Sequence, residues 1–307
     1  MAFDWWGPEF EKRAEGRYKV ELYPANVLIS STAALDSIRK GVAEIIVTST
    51  SSFPKDFLLN VVTGIPTLGF PADTYDQVFA CWDAQDEFYN TIPELQAEFK
   101  DFKLLLRFGI TVSHLLTKNK EVHYPSDLKG MRIGGSGDVM QIVTNSGGAA
   151  VQQVPPDAYL NLDKGLVDGG FNSYMQIADH KLYNVAKYLY DENFGQGTMI
   201  VMMNWTAWNA MSPQDHKLMA ETWAEARDKA AHYLVDAQNA VVGTADFKQL
   251  KLIVPTAQES AAWARASEPC LRIWRDNCIS MGIDIRTTDK VLEAWKSIRA
   301  KYMEKLK

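Results

Sequence analysis

The first chemistry suggested by the sequence lies where a short strand stops and a helix begins, at Gly134-Gly135-Ser136-Gly137. Met131-Arg132-Ile133 reads as the strand, and Val139, Met140, Ile142 and Val143 as the apolar face of the helix. Strand, glycine turn and helix together aim backbone N–H groups and a helix N-terminus at an anion, which makes Gly135 and Ser136 candidate donors. The run has neither GxGxxG spacing nor the Lys-Ser/Thr of a phosphate loop. Further on, a helix ends at Lys164-Gly165, and a second short strand delivers Asn172 to its carboxyl end, where open α/β sheets place their ligands. Ser49-Thr50-Ser51-Ser52 also follows a buried strand; hydroxyls of Ser49 and Ser51 either bond ligand oxygens or cap the turn before Phe53-Pro54. Trp5 and Trp6 either stack on a ligand or join the core. Phe194, in Phe194-Gly195-Gln196-Gly197, either walls a site or belongs to a plain turn, and Arg107 is either a site residue or an outward charge.

Catalysis needs an activated nucleophile or an acid/base pair. Near these candidates there is no Cys, no pair of carboxylates, and no Ser-His-Asp arrangement that spacing supports. His114, His123, His180, His216 and His232 show no metal spacing. Cys81, Cys270 and Cys278 fit neither CxxC nor a zinc pattern; the last two fall two turns apart on one predicted helix, roughly 12 Å, too far to bridge. Neither a metal nor an organic cofactor is expected. An enzyme of transferase type that uses the glycine-rich anion site is the alternative to a binding protein.

These residues need elements to hold them, and the chain is long enough: 307 residues allow two domains with a substantial core. Apolar residues make up 47% and charged residues 23%, an ordinary globular balance. A net charge of −6 without a Lys/Arg run argues against a nucleic-acid surface. No apolar stretch approaches the roughly 20 residues of a membrane span, and no signal-peptide pattern follows Met1.

Phe3, Trp6 and Phe10 recur at helical spacing from Phe3 to Ala14. Tyr18 to Tyr23 alternates and predicts a strand closed by Pro24. A helix with Ala34, Leu35 and Ile38 on its apolar face precedes a strand from Glu44 to Val47. Helix–strand–helix–strand is the rhythm of a parallel sheet. A helix follows at Thr74 to Phe88, with strands at Lys103 to Phe108, Ser113 to Lys118, Met199 to Asn204 and Leu252 to Val254. Ser212-Pro213 starts a helix running past Val241, roughly 40 Å and long enough to lie along two domains. Two more helices, Gln258 to Met281 and Asp289 to Lys305, close the chain.

Asp127-Leu128-Lys129-Gly130-Met131-Arg132-Ile133 resembles a segment of the extracytoplasmic solute-binding proteins of TRAP transporters, the DctP family. Four further segments resemble that family in the same order. Glu15 to Ala25 is similar to its "NGRxKVEVYPA", and Ile38 to Ile45 to "VRxGxADI". Tyr159 to Gly169 resembles "YxALQxGxVDG", and Met203 to Trp208 resembles "MNKDAW".

The resemblance implies an α/β fold of the two-domain periplasmic-binding-protein kind, each domain a sheet flanked by helices, with a long helix bridging both. Residues 1–122 with 205–252 would form domain I, and 123–204 with 253–307 domain II, with the solute in the cleft between them. It implies capture of a small organic acid or related polar solute, delivery to a membrane permease, and a periplasmic location. Asn172 falls on the family's ligand-binding Asn after "VDG". The family's carboxylate-clamping Arg would fall at Gly134, and Arg132 lies one pleat away, roughly 6.6 Å. Either Arg132 reaches the solute, or it takes the family's solvent-facing Lys position and the site favours a weakly charged or neutral solute, or an anion held by N–H groups of Gly135 and Ser136. His114 sits where the family's second cleft Arg would lie. Family members also begin with a strand inside the first sheet, so roughly 40 upstream residues, including an export signal, are expected of the native protein.

Overall fold

The computed structural model describes residues 2–24, 27–66, 68–137 and 139–307. The helices are α1 (Ala2–Arg13), α2 (Ala34–Arg39), α3 (Tyr75–Thr91), α4 (Pro93–Ala97), α5 (Val139–Asn145), α6 (Ala158–Asp163), α7 (Tyr174–Asp179), α8 (Trp205–Ala210), α9 (Pro213–Gly243), α10 (Ala257–Ser280) and α11 (Ile285–Glu304). The strands are β1 (Ile45–Ser49), β2 (Phe102–Val112), β3 (His114–Thr117), β4 (Arg132–Gly135), β5 (Ala149–Gln152), β6 (Gly169–Asn172), β7 (Tyr188–Tyr190), β8 (Gln196–Asn204) and β9 (Lys251–Ile253). They form two sheets, one in the order β1-β8-β2 and the other β5-β4-β6-β3-β7-β9.

The first sheet is not the parallel sheet that the opening rhythm predicts. β8 returns from the second sheet and enters between β1 and β2, antiparallel to both. The second sheet is mixed: β4 runs parallel to β5 and β6, whereas β3 runs antiparallel to β6 and β7. The chain leaves the first sheet between Val112 and His114 and regains it at Gln196. Both crossings come earlier than His123 and Asn204, where the sequence places them, because β3 already pairs in the second sheet and β8 already in the first. At the crossing the two segments hold each other: Ser113 N donates to Gly195 O, and Phe194 N to Ser113 O, each at 3.0 Å. Gly195 there has φ +132°, a conformation that a residue with a Cβ rarely adopts.

Tyr18 to Tyr23 alternates as a strand should, yet it pairs with no described strand. A groove of about 1000 Å³ separates it from the free edge of β1, with Trp6, Phe10, Ile45, Met203 and Trp223 in its walls. The segment is tied down from elsewhere. Glu11 accepts Val20 N–H, and Asp215 takes Arg17 at 2.7 Å and Tyr18 at 3.0 Å. Those bonds, with one from Ser212 Oγ, bring the Asp215 carboxyl down to about 2. Trp223 Nε1, on the groove's floor, is buried without a hydrogen-bond partner.

Ser212 Oγ caps α9 by accepting Asp215 N–H, and Pro213 takes the first helical position. Its 31 residues span about 46 Å. Along that length Trp223 stacks on Trp6 at 4.2 Å in the first layer, and Val241 and Val242 pack on the core beneath α6 and α7 in the second. Of the C-terminal helices, α10 stays with the second layer along α5 and meets the first only towards its far end, whereas α11, against expectation, lies on the first. Trp274 on α10 donates to Leu58 O at 2.8 Å, Trp295 on α11 donates to Leu68 O at 3.1 Å, and α11 lies along α3. Cys270 and Cys278 do share α10, and both are buried and free of a disulfide.

Glu98, at the end of α4, accepts Leu59 N at 2.6 Å and Asn60 Nδ2 at 2.6 Å. Burial outweighs these bonds and pushes its carboxyl up to about 7. A carboxyl raised in the fold is neutral in both states below about pH 4.5 and costs stability progressively up to about pH 7. That loss should reach about 3 kcal/mol and stay level above. Urea unfolding of wild type from pH 4.5 to 8 should slope down through this window, and Glu98→Gln should flatten the slope. Equal slopes would mean that Glu98 ionises freely.

Candidate functional site

β4 and β6 end side by side at the crossing, with β3 starting between β6 and β7, so their ends bring Gly134, Gly135, Asn172 and His114 together. Gly134 pairs with Gly170, and Asn172 with His114, which sets Gly134, Gly170, Asn172 and His114 on one face of the sheet and turns Gly135 to the other. Asn172 is 2% exposed and its Nδ2 has no hydrogen-bond partner. A buried amide N–H left unpaired costs about 1–3 kcal/mol, so such a group marks a place for an acceptor. Ser173 follows and starts α7 with a reciprocal cap: Ser173 Oγ accepts Gln176 N, and Gln176 Oε1 accepts Ser173 N.

That cap positions Tyr174, whose ring stacks on His114 at 4.1 Å. Tyr174 OH donates to Asp191 Oδ1 at 2.5 Å, and His114 Nδ1 lies 3.0 Å from the same oxygen. Burial works to raise the Asp191 carboxyl, but His114 and Tyr174 outweigh it and hold it below the ordinary range. Burial, then the charge of Asp191, raise Asp73 on the opposing layer, where Gln238 of α9 donates to it at 3.1 Å. Two carboxylates, Asp191 and Asp73, thus gather around His114, the cross-strand partner of Asn172.

Arg132 stands at the exposed start of β4. Its Nη2 donates to Asp168 Oδ1 at 2.8 Å and its Nε to Oδ2 at 3.1 Å, a fork that holds the Asp168 carboxyl low. Gly135 is buried against Met140 Sδ and Phe171, while Ser136 is exposed. Phe194, 1% exposed, packs on Phe171 at 5.1 Å and Trp263 at 4.8 Å beside the crossing. Ser49 and Ser51 lie in the first layer, where Ser49 Oγ accepts Ser51 N at 3.2 Å and caps the turn after β1. Trp6 packs in the core between α1 and α9, with Nε1 bonded to Thr222 Oγ1 at 3.1 Å. Arg107 is neither an outward charge nor near these strand ends; it is fully buried in the first layer.

Sequence reasoning passed over Gln153, Tyr174 and Asp191. Ser173-x-x-Gln176 is a readable cap and points to Tyr174. Nothing local points to Gln153.

The buried thiols are poor nucleophiles. Burial pushes the thiols of Cys81 and Cys278 up to about 12, far from a nucleophilic thiolate. Among the described residues no three His, Cys, Asp or Glu side chains gather where a metal could sit, and no helix is long and apolar enough to cross a membrane.

Two α/β layers, joined by hydrogen-bonded crossings and spanned by one helix, define a two-domain binding-protein fold. The model of the bacterial extracellular solute-binding proteins, family 7 (DctP), matches residues 2–277, and the chain belongs to that family. The C4-dicarboxylate-binding protein DctB of Bacillus subtilis is 23% identical over 218 residues, 70% of this chain and 60% of its own. The chain thus spans less than two thirds of that relative's length. A TRAP periplasmic solute-binding protein from Desulfovibrio salexigens, solved as an open complex, is 25% identical with a TM-score of 0.84, covering 98% of this chain and 91% of its own. One from Rhodoferax ferrireducens, solved with copurified benzoate, is 22% identical with a TM-score of 0.79, covering 99% and 94%.

Proposed function

We propose that this chain is an extracytoplasmic receptor that captures a small organic acid or related polar solute and hands it to a membrane permease of the TRAP class. Closure about the crossings at Ser113 and Gly195 would bury the solute between the two layers. The family's extracellular character supports a periplasmic location. The observation that carries the reading is the buried, unpaired Asn172 amide at the end of β6, beside those crossings. The benzoate bound by the Rhodoferax protein supports a carboxylic acid as one class to try.

A thermal-shift screen of organic acids, sugar acids, aromatic acids and neutral polar compounds tests the reading. A true ligand at 100 times its Kd should add about 2.7 kcal/mol of stability. Absence of any hit across all four classes would count against a receptor. With a ligand in hand, Asn172→Ala should weaken binding by roughly 1–3 kcal/mol, about 5- to 150-fold, by leaving a solute acceptor unpaired. Calorimetric titration gives the number, and unchanged affinity would remove Asn172 from the site.

A further inference from the structure

A side chain at Gly134 would have to displace the amide of Gln153. A Cβ there would lie 2.6 Å from Gln153 Oε1 and 2.7 Å from both Cδ and Nε2, because the Gln153 side chain lies flat across β4. Gln153 is 6% exposed and fixed at two points: its backbone N donates to Gly135 O at 2.9 Å, and its Oε1 accepts from Asn161 Nδ2 at 2.8 Å. With its oxygen engaged, the amide offers its Nε2 donors. Nε2 lies 3.5 Å, and Asn172 Nδ2 3.3 Å, from where a Gly170 Cβ would stand, so the two amide nitrogens flank one bare glycine.

Among the described residues no Arg or Lys side chain hydrogen-bonds either amide. Arg132 is forked onto Asp168 at the exposed edge, and the charges on the Asn172 side are Asp191, with His114 against it, and Asp73. A carboxylate stripped of water needs a positive partner or several strong donors. A neutral carbonyl oxygen needs only donors for its two lone pairs, which two amides supply. The N–H groups of a carboxamide would in turn find acceptors in Asp191 and Asp73.

We propose that Gln153 is a specificity-determining residue which, paired with Asn172, makes the cleft select an uncharged carbonyl head group such as a carboxamide over an ionised carboxylate. This rests on the receptor function proposed above and narrows its solute class.

Titration calorimetry on the full chain with matched pairs, benzamide against benzoate and malonamide against malonate, reads the preference. Wild type should bind at least one amide about tenfold or more tighter than its acid, since mismatched buried polar groups discriminate strongly. Gln153→Ala combined with Gly134→Arg clears the space over β4 and places a guanidinium in it. That variant should invert the preference by at least about tenfold. Gln153→Glu, nearly the same shape, replaces donors with an acceptor and should lose the amides while keeping the far-ultraviolet circular dichroism of the wild type. A wild type that prefers either acid by tenfold overturns the inference and leaves the receptor function standing. If wild type binds none of the four, the double variant decides: acid binding by it supports the inference, and none overturns it. The receptor function itself is judged by the broader screen.

Discussion

Trp263→Ala should lower stability by about 3–5 kcal/mol, among the largest losses any single truncation in this chain would cause. Trp263 is fully buried on α10. Its ring meets Phe194 edge-on at 4.8 Å and Tyr190 at 5.7 Å, and its Nε1 donates to His123 O at 3.0 Å. The truncation opens a cavity against residues held by strands, which cannot collapse into it, and leaves the His123 carbonyl without its donor. Trp263→Phe keeps most of the ring and should lose only about 1–2 kcal/mol. The expected signature in urea is a lower midpoint at unchanged slope. Because Phe194 adjoins the crossing, Trp263→Ala should also loosen the wall there and speed amide exchange at Ser113 and Gly195. A loss under about 1 kcal/mol would mean that the Phe194 cluster is not part of the core.

What the sequence made legible follows from how local each signal is. Ser212-Pro213 and Thr74-x-x-Gln77 announce helix starts through bonds made within four residues, and α9 and α3 begin where they say. Asn172 was readable because a strand and a helix on either side fix its place at a strand end. Strand partners are another matter. Tyr18 to Tyr23 has the alternation of a strand, but pairing is decided by distant chain, and β1 lies across a groove from it. The antiparallel entry of β8 into the first sheet likewise rests on a return from residues far along the chain. Gln153 shows the limit most sharply. Its side chain, just past the end of β5, fills the space over Gly134 on the neighbouring strand, a contact that no spacing rule encodes. Trp6 and Ser49 carried two readings each, and local sequence could not weigh them, since burial against α9 or a cap on the next turn depends on the assembled layer.

Arg107→Met should stabilise the fold by about 1–3 kcal/mol, the reverse of what truncating a buried side chain usually does. The guanidinium is 2% exposed in β2, and none of its three nitrogens has a hydrogen-bond partner. Burial brings it down to about 10 from an ordinary 12.5, against the pull of Asp86 and Glu98. That depression is a penalty of about 3 kcal/mol on the charged form, present in full at every pH below about 10 and relieved only between there and 12.5. Methionine fills similar space without the charge. The loss on the other side is the Tyr89 ring, 5.4 Å from the guanidinium, worth about 1 kcal/mol, and the field that favours ionised Asp86 and Glu98. Buried ionic groups replaced by apolar ones of similar volume commonly leave a protein unchanged or more stable by 1–4 kcal/mol. The pH dependence separates the two effects. Near pH 5 Glu98 is largely protonated in the fold, so Arg107 has one counter-charge fewer to lose and its removal should help most. Near pH 8 Glu98 is ionised, the attraction is at its strongest, and the gain should shrink. Chemical unfolding of wild type and Arg107→Met at the two values measures both gains. If the variant is instead less stable by more than about 1 kcal/mol at pH 5, the guanidinium has a buried partner that stabilises it, and the unpaired charge described above does not exist in solution.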